Sequence, residues 1–489
     1  MTLISQSTGD RSAEQSPAPR NGGVWPPLWR GATLTLASAA LAGCVITMPP
    51  AQVASEVPAQ WHAPLPHAGA VADLSRWWQN HGDATLTAFI DAAQAASPGV
   101  AQALARIESA RANQAQANSA LLPQIGAGLS GQRGITQPSS PLATTWSGGL
   151  QAAWEVDLVG ANRTVSQAAV AQVQGTQALW HDARVSVAAE VANVYQAERH
   201  CRRQLALQQQ DAASRAQTAR LLGISAQAGL AAAGDAALAN AAAADSTARA
   251  KQQALACDLH IKALVALTAL PEADIKQKMA SPHYRQAKVA MFLVSSVPAQ
   301  TIAQRPDVFA AERDVAVASA RVGAAEAQRY PRLTLSGSIG ALQTRSGGTR
   351  SSLDTWSIGP LAVNVPLFDG GVRVANVAAA QAQYSQAVSV YRASVRQAVR
   401  EIEEALLALD STGARHADVE AAAEGFARSL QAVQTRHDQG LASLMELEDA
   451  RRQTLAARSA ELALELERWR AWVALYRASG GGFDPGATS

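Results

Sequence analysis

Charged and aromatic residues are both scarce in this sequence. Asp, Glu, Lys and Arg make up 16% of its 489 residues, and Phe and Tyr contribute six residues each. An ordinary globular protein has about 25% charged residues. Long stretches contain little besides Ala, Gln, Arg, Val and Leu, a composition typical of closely packed helices. The composition therefore argues against the roughly three ordinary domains that this length would otherwise predict.

Other absences each exclude a class of protein. The 41 basic and 39 acidic residues leave a net charge of +2, so no basic field indicates a nucleic-acid partner. After the N-terminal region no run of about 20 apolar residues occurs, which excludes a polytopic helical membrane protein. The sequence has no phosphate loop, no metal-spaced Cys/His cluster and no nucleophile elbow. We therefore expect no enzyme, cofactor or metal site, and we expect His416 and His437 to be solvated helix residues.

A short apolar segment near the N-terminus ends in a cysteine. Gly31–Leu41 precedes Ala42-Gly43-Cys44; it is too short to span a bilayer and matches the hydrophobic region of a signal peptide. The cysteine after small residues resembles a bacterial lipobox, which implies cleavage before Cys44, acylation of its thiol and, with Val45 next, sorting to the outer membrane. The alternative is an anchor helix with an incidental cysteine. We expect a lipoprotein signal peptide over 1–43 and a lipid-anchored linker over 44–85.

The rest of the chain is an internal duplication. Trp146–Gly160 aligns without a gap with Trp356–Gly370, at an offset of 210 residues, and Gly229 aligns with Gly440 at an offset of 211. Composition bias could align alanines, but it could not readily align Trp and Gly in the same order. We expect a first repeat over 86–295, a second repeat over 296–479 and a C-terminal tail over 480–489.

Each repeat contains two segments in which apolar and polar residues alternate. Ile125, Ala127 and Leu129 are one such series, and a period of two indicates a strand. Strands of about ten residues with one apolar face fit a tilted span of an outer membrane. Closing such strands into a barrel requires several chains, so this interpretation predicts a homo-oligomer; the alternative is a small β-subdomain packed on helices. The strands are predicted at about 124–133, 146–158, 332–343 and 356–367, with loops at Gly134–Thr145 and Ser346–Ser352.

Two long segments without proline follow the strand pairs. They predict helical hairpins at about 162–270 and 372–479, which reverse near Gly229 and Gly440. At 1.5 Å per residue, sixty residues form a rod of about 90 Å. A globular domain has no use for such a rod, whereas a coiled-coil tube does.

An ordered set of motifs resembles the outer membrane factors of tripartite efflux pumps, the TolC/OprM-like lipoproteins of the NodT type. The resemblance covers the mature chain nearly end to end, and its specificity comes from the order of the motifs rather than from any one of them. Besides the lipobox, they are Trp77-Trp78 with Asp83 and Leu86, Ala153–Leu158 with Gly160, Val187–Tyr195, Arg305-Pro306-Asp307, Tyr330–Leu333, Val365–Gly371, Arg400–Glu403, and Val473–Tyr476 with Gly480–Gly482.

The resemblance implies an α+β membrane protein. Three chains with four strands each would close one barrel in the outer membrane, and the long helices would continue it as a periplasmic coiled-coil tunnel. A periplasmic adapter and an inner-membrane pump would be its partners, and the tunnel would passively conduct drugs or other small molecules. The alternatives are the outer duct of a type I-like protein secretion system and a periplasmic structural lipoprotein without a pore.

The resemblance also assigns candidate residues to the hairpin tips. By position, Asp449 and Met445 would ring the periplasmic aperture; the alternative for Asp449 is a plain exposed acid on a helix. Contacts with the adapter would involve Arg436, Gly440 and Ser443 at the second tip, and Gly229 and Asp235 at the first. The first tip departs from the pattern, because Ser225 and Ala232 stand where the second tip has Arg436 and Ser443.

Two cysteines remain besides Cys44, in a compartment that favours oxidation. If the first hairpin reverses near Gly229, the position opposite Cys201 is near 260, about one turn from Cys257. The two thiols could then form a disulfide that braces the hairpin. The alternative is two buried thiols on different helix faces, and the sequence leaves both open.

Overall fold

Two long helical hairpins and one four-stranded sheet account for most of the chain in a computed structural model. The structure describes residues 46–54, 57–64, 77–135, 141–280 and 298–484; the predicted signal peptide and Cys44 lie outside them. The elements are α1 Trp77–Asn80, α2 Ala84–Ala96, α3 Pro98–Ser119, β1 Gln124–Gly134, β2 Ala143–Val156, α4 Ala161–Gln227, α5 Ala233–Thr268, α6 Glu272–Met279, α7 Pro298–Ala303, α8 Pro306–Ala327, β3 Arg332–Ser346, β4 Thr349–Asn364, α9 Val372–Asp438 and α10 Leu444–Ala478.

The order of the elements repeats, as the sequence predicts. Helix, strand, strand, long helix and second helix occur as α3-β1-β2-α4-α5 and again as α8-β3-β4-α9-α10. Pro98 and Pro306 each occupy the first turn of the opening helix, where the missing N–H of proline is not needed. The long helices α4 and α9 both contain 67 residues. The structure thus has one long helical hairpin in each repeat.

Within the described ranges, no single helix combines sufficient length with sufficient hydrophobicity to span a membrane. The pair α5 and α6, bent by 117° at their junction, meets both criteria only when the two helices are taken together.

The four strands form one antiparallel sheet in the order β1-β2-β3-β4. The register places Ala127, Leu150, Ile339 and Trp356 in one row across the sheet. Leu150, Ile339 and Trp356 are each about half exposed or more. Because side chains alternate along a strand, the opposite face carries other residues, among them the hydroxyl pair Ser130 and Ser147 with oxygens 2.6 Å apart. The sheet thus has the apolar and polar faces that the alternation predicts.

Two facing glycines join the strand pairs of the two repeats. Gly149 on β2 pairs with Gly340 on β3. A Cβ atom on Gly149 would lie 2.6 Å from the carbonyl oxygen of Ile339, and one on Gly340 would lie 2.6 Å from that of Gly148. The close approach of the strands at this point therefore requires glycine at both positions.

The observed bounds of three strands differ from the predicted ones, and β3 extends to Ser346 instead of 343. The predicted loop 346–352 contracts to a turn at Gly347 and Gly348, whose φ angles of 57° and 87° suit a two-residue hairpin turn, so β4 begins at Thr349 instead of 356. It ends at Asn364, which pairs with Arg332, the first residue of β3. The strand β2 runs over Ala143–Val156 rather than 146–158.

The early end of β2 has a local cause. The Asp157 carboxylate accepts hydrogen bonds from the backbone amides of Asn162, at 3.2 Å, and Arg163, at 2.9 Å. These bonds satisfy free N–H groups in the first turn of α4. Asp157 thus turns the chain out of the strand and into the helix.

The main hydrophobic core lies where α1 and α2 pack on α4 and α10. Asp83 caps α2 by accepting from the amides of Thr85 and Leu86, each at 3.0 Å. Its second oxygen accepts from the Tyr195 hydroxyl of α4 at 2.7 Å, which fixes the short helix on the long one. Trp469 of α10 donates from Nε1 to the backbone oxygen of residue 192 on α4 at 3.2 Å. This core therefore holds the short N-terminal helices against the long helices of both repeats.

A buried arginine joins the second repeat to the end of the chain. Arg305 is 5% exposed; it donates to Asp307 at 2.6 Å, to Glu401 of α9 at 2.8 Å and to the backbone oxygen of Ala478 at 3.0 Å. The charges of Arg305, Asp307 and Glu401 also act electrostatically on Asp182 of α4. Burial, and next the negative charge of Asp307, raise the pKa of the Asp182 carboxyl.

Candidate functional site at the hairpin tips and their junction

Both hairpins reverse through the same backbone motif. At the first tip Gly229 has a φ of 70°, its amide donates to Ala226 at 3.1 Å and the amide of Leu230 donates to Ser225 at 2.8 Å. At the second tip the φ of Gly440 is 74°. These are Schellman ends, which require a left-handed residue and therefore favour glycine. In the structure the chain therefore reverses at Gly229 and at Gly440.

The second tip has side-chain contacts that the first tip lacks. Ser443 caps α10 by accepting from the amide of Glu446 at 3.1 Å, and Arg436 binds the Glu446 carboxylate at 2.8 Å. Arg436 also donates to the backbone oxygen of Leu441 at 3.1 Å. At the first tip Ala232 precedes α5 without a side-chain cap. The repeats differ at two tip positions, where Ser225 and Ala232 replace Arg436 and Ser443. The second tip therefore has more side-chain hydrogen bonds across its reversal than the first.

The predicted aperture residues lie on the first turns of α10. Met445 is 70% exposed, and Asp449, with 53% of its side chain exposed, forms an ion pair with Arg452 one turn further on. Asp235 lies exposed in the first turn of α5, where a carboxylate interacts favourably with the helix dipole. All the tip candidates are therefore accessible in the single chain.

A buried ionic network connects the two hairpins above the tips. Arg215 on α4 binds Asp211 at 2.8 Å and also contacts Glu448 on α10. Arg451 binds the same Glu448 carboxylate at 2.8 Å and donates to Thr218 on α4, also at 2.8 Å. We call these five residues the inter-hairpin junction.

Charge within the junction is balanced. Its four charged side chains are between 8% and 16% exposed, and two positive charges face two negative ones. Arg451 also donates to Gln434 on α9 at 3.2 Å, so three long helices meet there. Sequence reasoning missed the junction; the signal available was a set of charges spaced at i,i+4 and i,i+3 in helices otherwise rich in Ala and Gln.

The two cysteines of the first hairpin form a disulfide in the structure. Cys201 on α4 is 2% exposed and Cys257 on α5 is fully buried, and their Cα atoms are 5.4 Å apart, within the usual range. At the equivalent positions of the second hairpin, at the offset of 211, the sequence has Thr412 and Arg468. The first hairpin alone has this covalent brace.

Among the described residues, no group of three or more His, Cys, Asp or Glu side chains is arranged to hold a metal ion. The predicted solvated residue His416 is 56% exposed and lies 4.0 Å from Glu420. His437 is half-buried, and its Nδ1 lies 3.0 Å from the backbone oxygen of Ala442 at the second tip, so it belongs to the tip rather than to open solvent.

Comparisons with known proteins agree with this architecture. A family model described as outer membrane efflux protein matches residues 89–270 and 297–481. The outer membrane protein OprJ of Pseudomonas aeruginosa is 30% identical over 476 residues, which cover 93% of this chain and 96% of OprJ. Nodulation protein T of Rhizobium leguminosarum bv. viciae is 29% identical, with 85% and 86% covered. The crystal structure of VceC from Vibrio cholerae has 25% identity and a TM-score of 0.73, covering 85% of this chain and all of that one.

The fold, with its two long hairpins and small sheet, is that of the TolC-like outer membrane channels. The chain belongs to the outer membrane efflux protein family. It is the outer membrane channel of a tripartite efflux pump rather than an enzyme, and it extends from the outer membrane into the periplasm. The resemblance drawn from the sequence motifs is thereby confirmed.

Proposed function

We propose that three copies of this chain assemble into one channel whose strands close a barrel in the outer membrane. The observation that carries the proposal is the sheet itself: β1 and β4 lie at its two edges. Large apolar residues on the strands are exposed in the single chain, including Ile125 at 73% and Ile358 at 85%. A lipid-facing sheet cannot leave its edges unpaired, and pairing β1 of one copy with β4 of the next removes them.

The long helices would continue the barrel as a periplasmic tunnel. A helix of 67 residues extends about 100 Å at 1.5 Å per residue, well beyond the membrane. The described part of the predicted linker lies along these helices, since the Glu403 carboxylate of α9 accepts from the amides of His62 and Ala63, each at 2.7 Å. Lipidation of Cys44, after removal of residues 1–43, would add a membrane anchor beside the barrel.

The tips would form the periplasmic aperture and meet the adapter, which links the channel to an inner-membrane pump. Three copies of Asp449 and Met445 around the axis would narrow the opening. Like charges brought together repel, and the pairing of Asp449 with Arg452 supplies the counter-charge that a closed ring needs. The adapter would contact Gly229 and Asp235 at the first tip and Arg436, Gly440 and Ser443 at the second.

Single-channel recording in planar bilayers tests this function directly. We expect the purified full-length protein to conduct weakly, and Asp449→Asn to change the conductance. Glu424→Gln, which alters an exposed acid on α9 away from the tip, is the matched control and should conduct like the original protein. Absence of conductance even with the tip acids neutralised would remove the channel assignment.

A second experiment separates small-molecule efflux from protein secretion. Deletion of the gene should increase sensitivity to drugs or other toxic small molecules and leave protein export unchanged. Loss of an exported protein with unchanged drug sensitivity would favour the secretion duct instead.

A further inference from the structure

A cavity of about 360 Å³ lies between α4, α9 and α10. Each of the three helices contributes one leucine to its wall: Leu207, Leu430 and Leu455. Its volume falls in the lower part of the range for pockets that take small organic molecules. The cavity is bounded by helices from both hairpins, and Arg451 of the inter-hairpin junction lines it.

The charged side chains that line the cavity all have partners in the protein. Asp211 is bound by Arg215 at 2.8 Å, Arg451 is bound by Glu448 at 2.8 Å, and Arg458 forms an ion pair with Glu461 at 3.0 Å. No charge in the wall is therefore left for a ligand of opposite sign. A charged ligand would lose hydration here without gaining a counter-charge.

Some uncharged polar side chains of the cavity wall, unlike the charged ones, have no partner among the described residues. The side chains of Gln210 and Ser214 line the cavity and form no hydrogen bond with any described part of the chain. An amide N–H and a hydroxyl are thus available to a hydrogen-bond acceptor on an occupant. Gln431 on α9 also lines the cavity, and its side chain forms no hydrogen bond with a described part of the chain. Donors therefore face the cavity from two helices, while all three helices offer apolar contact.

We propose that this cavity binds an uncharged small molecule with an apolar, aromatic or aliphatic body and one hydrogen-bond acceptor. Its body would pack between the three leucines, and its acceptor would face Gln210 and Ser214. The molecule would lie against Arg451, and so against the contact that joins the hairpins. The inference concerns a site in the tunnel wall and does not depend on channel conductance.

Photolabelling with benzophenone tests the proposal, because this uncharged ketone has an apolar body and one acceptor, and it inserts into nearby C–H bonds on irradiation. The full-length protein in detergent is labelled and mapped by mass spectrometry. Because the photoreactive ketone is also the acceptor, we expect adducts mainly on the α4 peptide that contains Leu207, Gln210 and Ser214, and also on the peptides that contain Leu430 or Leu455. The charged analogue 4-benzoylbenzoate should give no enrichment there. Equal labelling by the two probes, or benzophenone adducts without preference for these peptides, would overturn the proposal.

Matched variants locate the label in the cavity. Ala427 lines the cavity, so Ala427→Phe should abolish the three adducts by filling it, while Ala421→Phe, at an exposed position of the same helix, should leave them unchanged. Circular dichroism checks that each variant is folded. If Ala427→Phe does not fold, Ser214→Leu narrows the cavity from α4 and carries the same expectation. Adducts that persist in a folded, filled variant would refute the site.

Discussion

The carboxylate of Glu448 holds the inter-hairpin junction together. It contacts both guanidinium groups of the junction, Arg215 on α4 and Arg451 on α10, and its side chain is 16% exposed. Glu448→Gln keeps the size of the side chain and removes its charge. Of the junction residues, Asp211 is then the one carboxylate left to balance two arginines.

The free-energy cost of Glu448→Gln follows from the burial of the charged side chains in the junction. Removing one partner of a buried ion pair costs about 3 to 5 kcal/mol, since a charge is left uncompensated in a poorly solvated place. The charged side chains of the junction keep 8% to 16% exposure, so we take the lower limit of about 3 kcal/mol. Because about 1.4 kcal/mol corresponds to a factor of ten, the local opening equilibrium should rise on the order of a hundredfold.

Amide hydrogen exchange followed by mass spectrometry measures this opening. We expect amides in 208–222 and 444–455 to exchange on the order of a hundredfold faster in Glu448→Gln. The matched control is Glu424→Gln, since Glu424 pairs with Arg428 on α9 with 58% and 75% of the two side chains exposed. Exposed pairs contribute less than about 1 kcal/mol, so the control should change little. Equal exchange in the two variants would refute the reasoning.

Asp182→Asn should raise the unfolding temperature near neutral pH in calorimetry. Burial raises the pKa of Asp182, so the folded chain binds this proton more tightly than the unfolded chain and loses stability as pH rises through that pKa. The gain should vanish below about pH 4, the usual pKa of the group; a gain that persists there would contradict the assignment. Ser443→Ala should speed amide hydrogen exchange at the second tip about fivefold, because the helix cap contributes about 1 kcal/mol. Ala232→Ser should slow amide hydrogen exchange at the first tip. If neither variant changes the exchange rate, capping is not the difference between the tips. Non-reducing mass mapping should recover a peptide pair joined through Cys201 and Cys257, and a free thiol at either position would exclude the disulfide.

Features that depend on neighbouring residues could be predicted from the sequence. The alternation around Ile125 predicts a strand because side chains alternate across the sheet within a few residues. Gly229 and Gly440 predict the reversals because a left-handed residue is a local requirement of a Schellman end. The turn at Gly347 and Gly348 has the same kind of signal, but the polar residues around it predict a longer loop.

Contacts between distant residues could not be predicted in the same way. Arg215 and Glu448 are 233 positions apart, and their meeting depends on how α4 and α10 are rotated about their own axes. Periodicity indicates which residues share a helix face, but it does not state which face meets which neighbour. For the same reason the sequence left the pairing of Cys201 and Cys257 open and gave no indication of the cavity lined by Leu207.

The sequence by itself determined the duplication, the amphipathic strands, the two long hairpins and the kind of protein they build. Each of these follows from local conformational preference or from the order of motifs along the chain. The tertiary structure alone decided that Glu448 joins two arginines between the hairpins and that three leucines from three helices line one cavity. Such contacts depend on the position and rotation of packed helices, which are fixed only when the whole chain is folded.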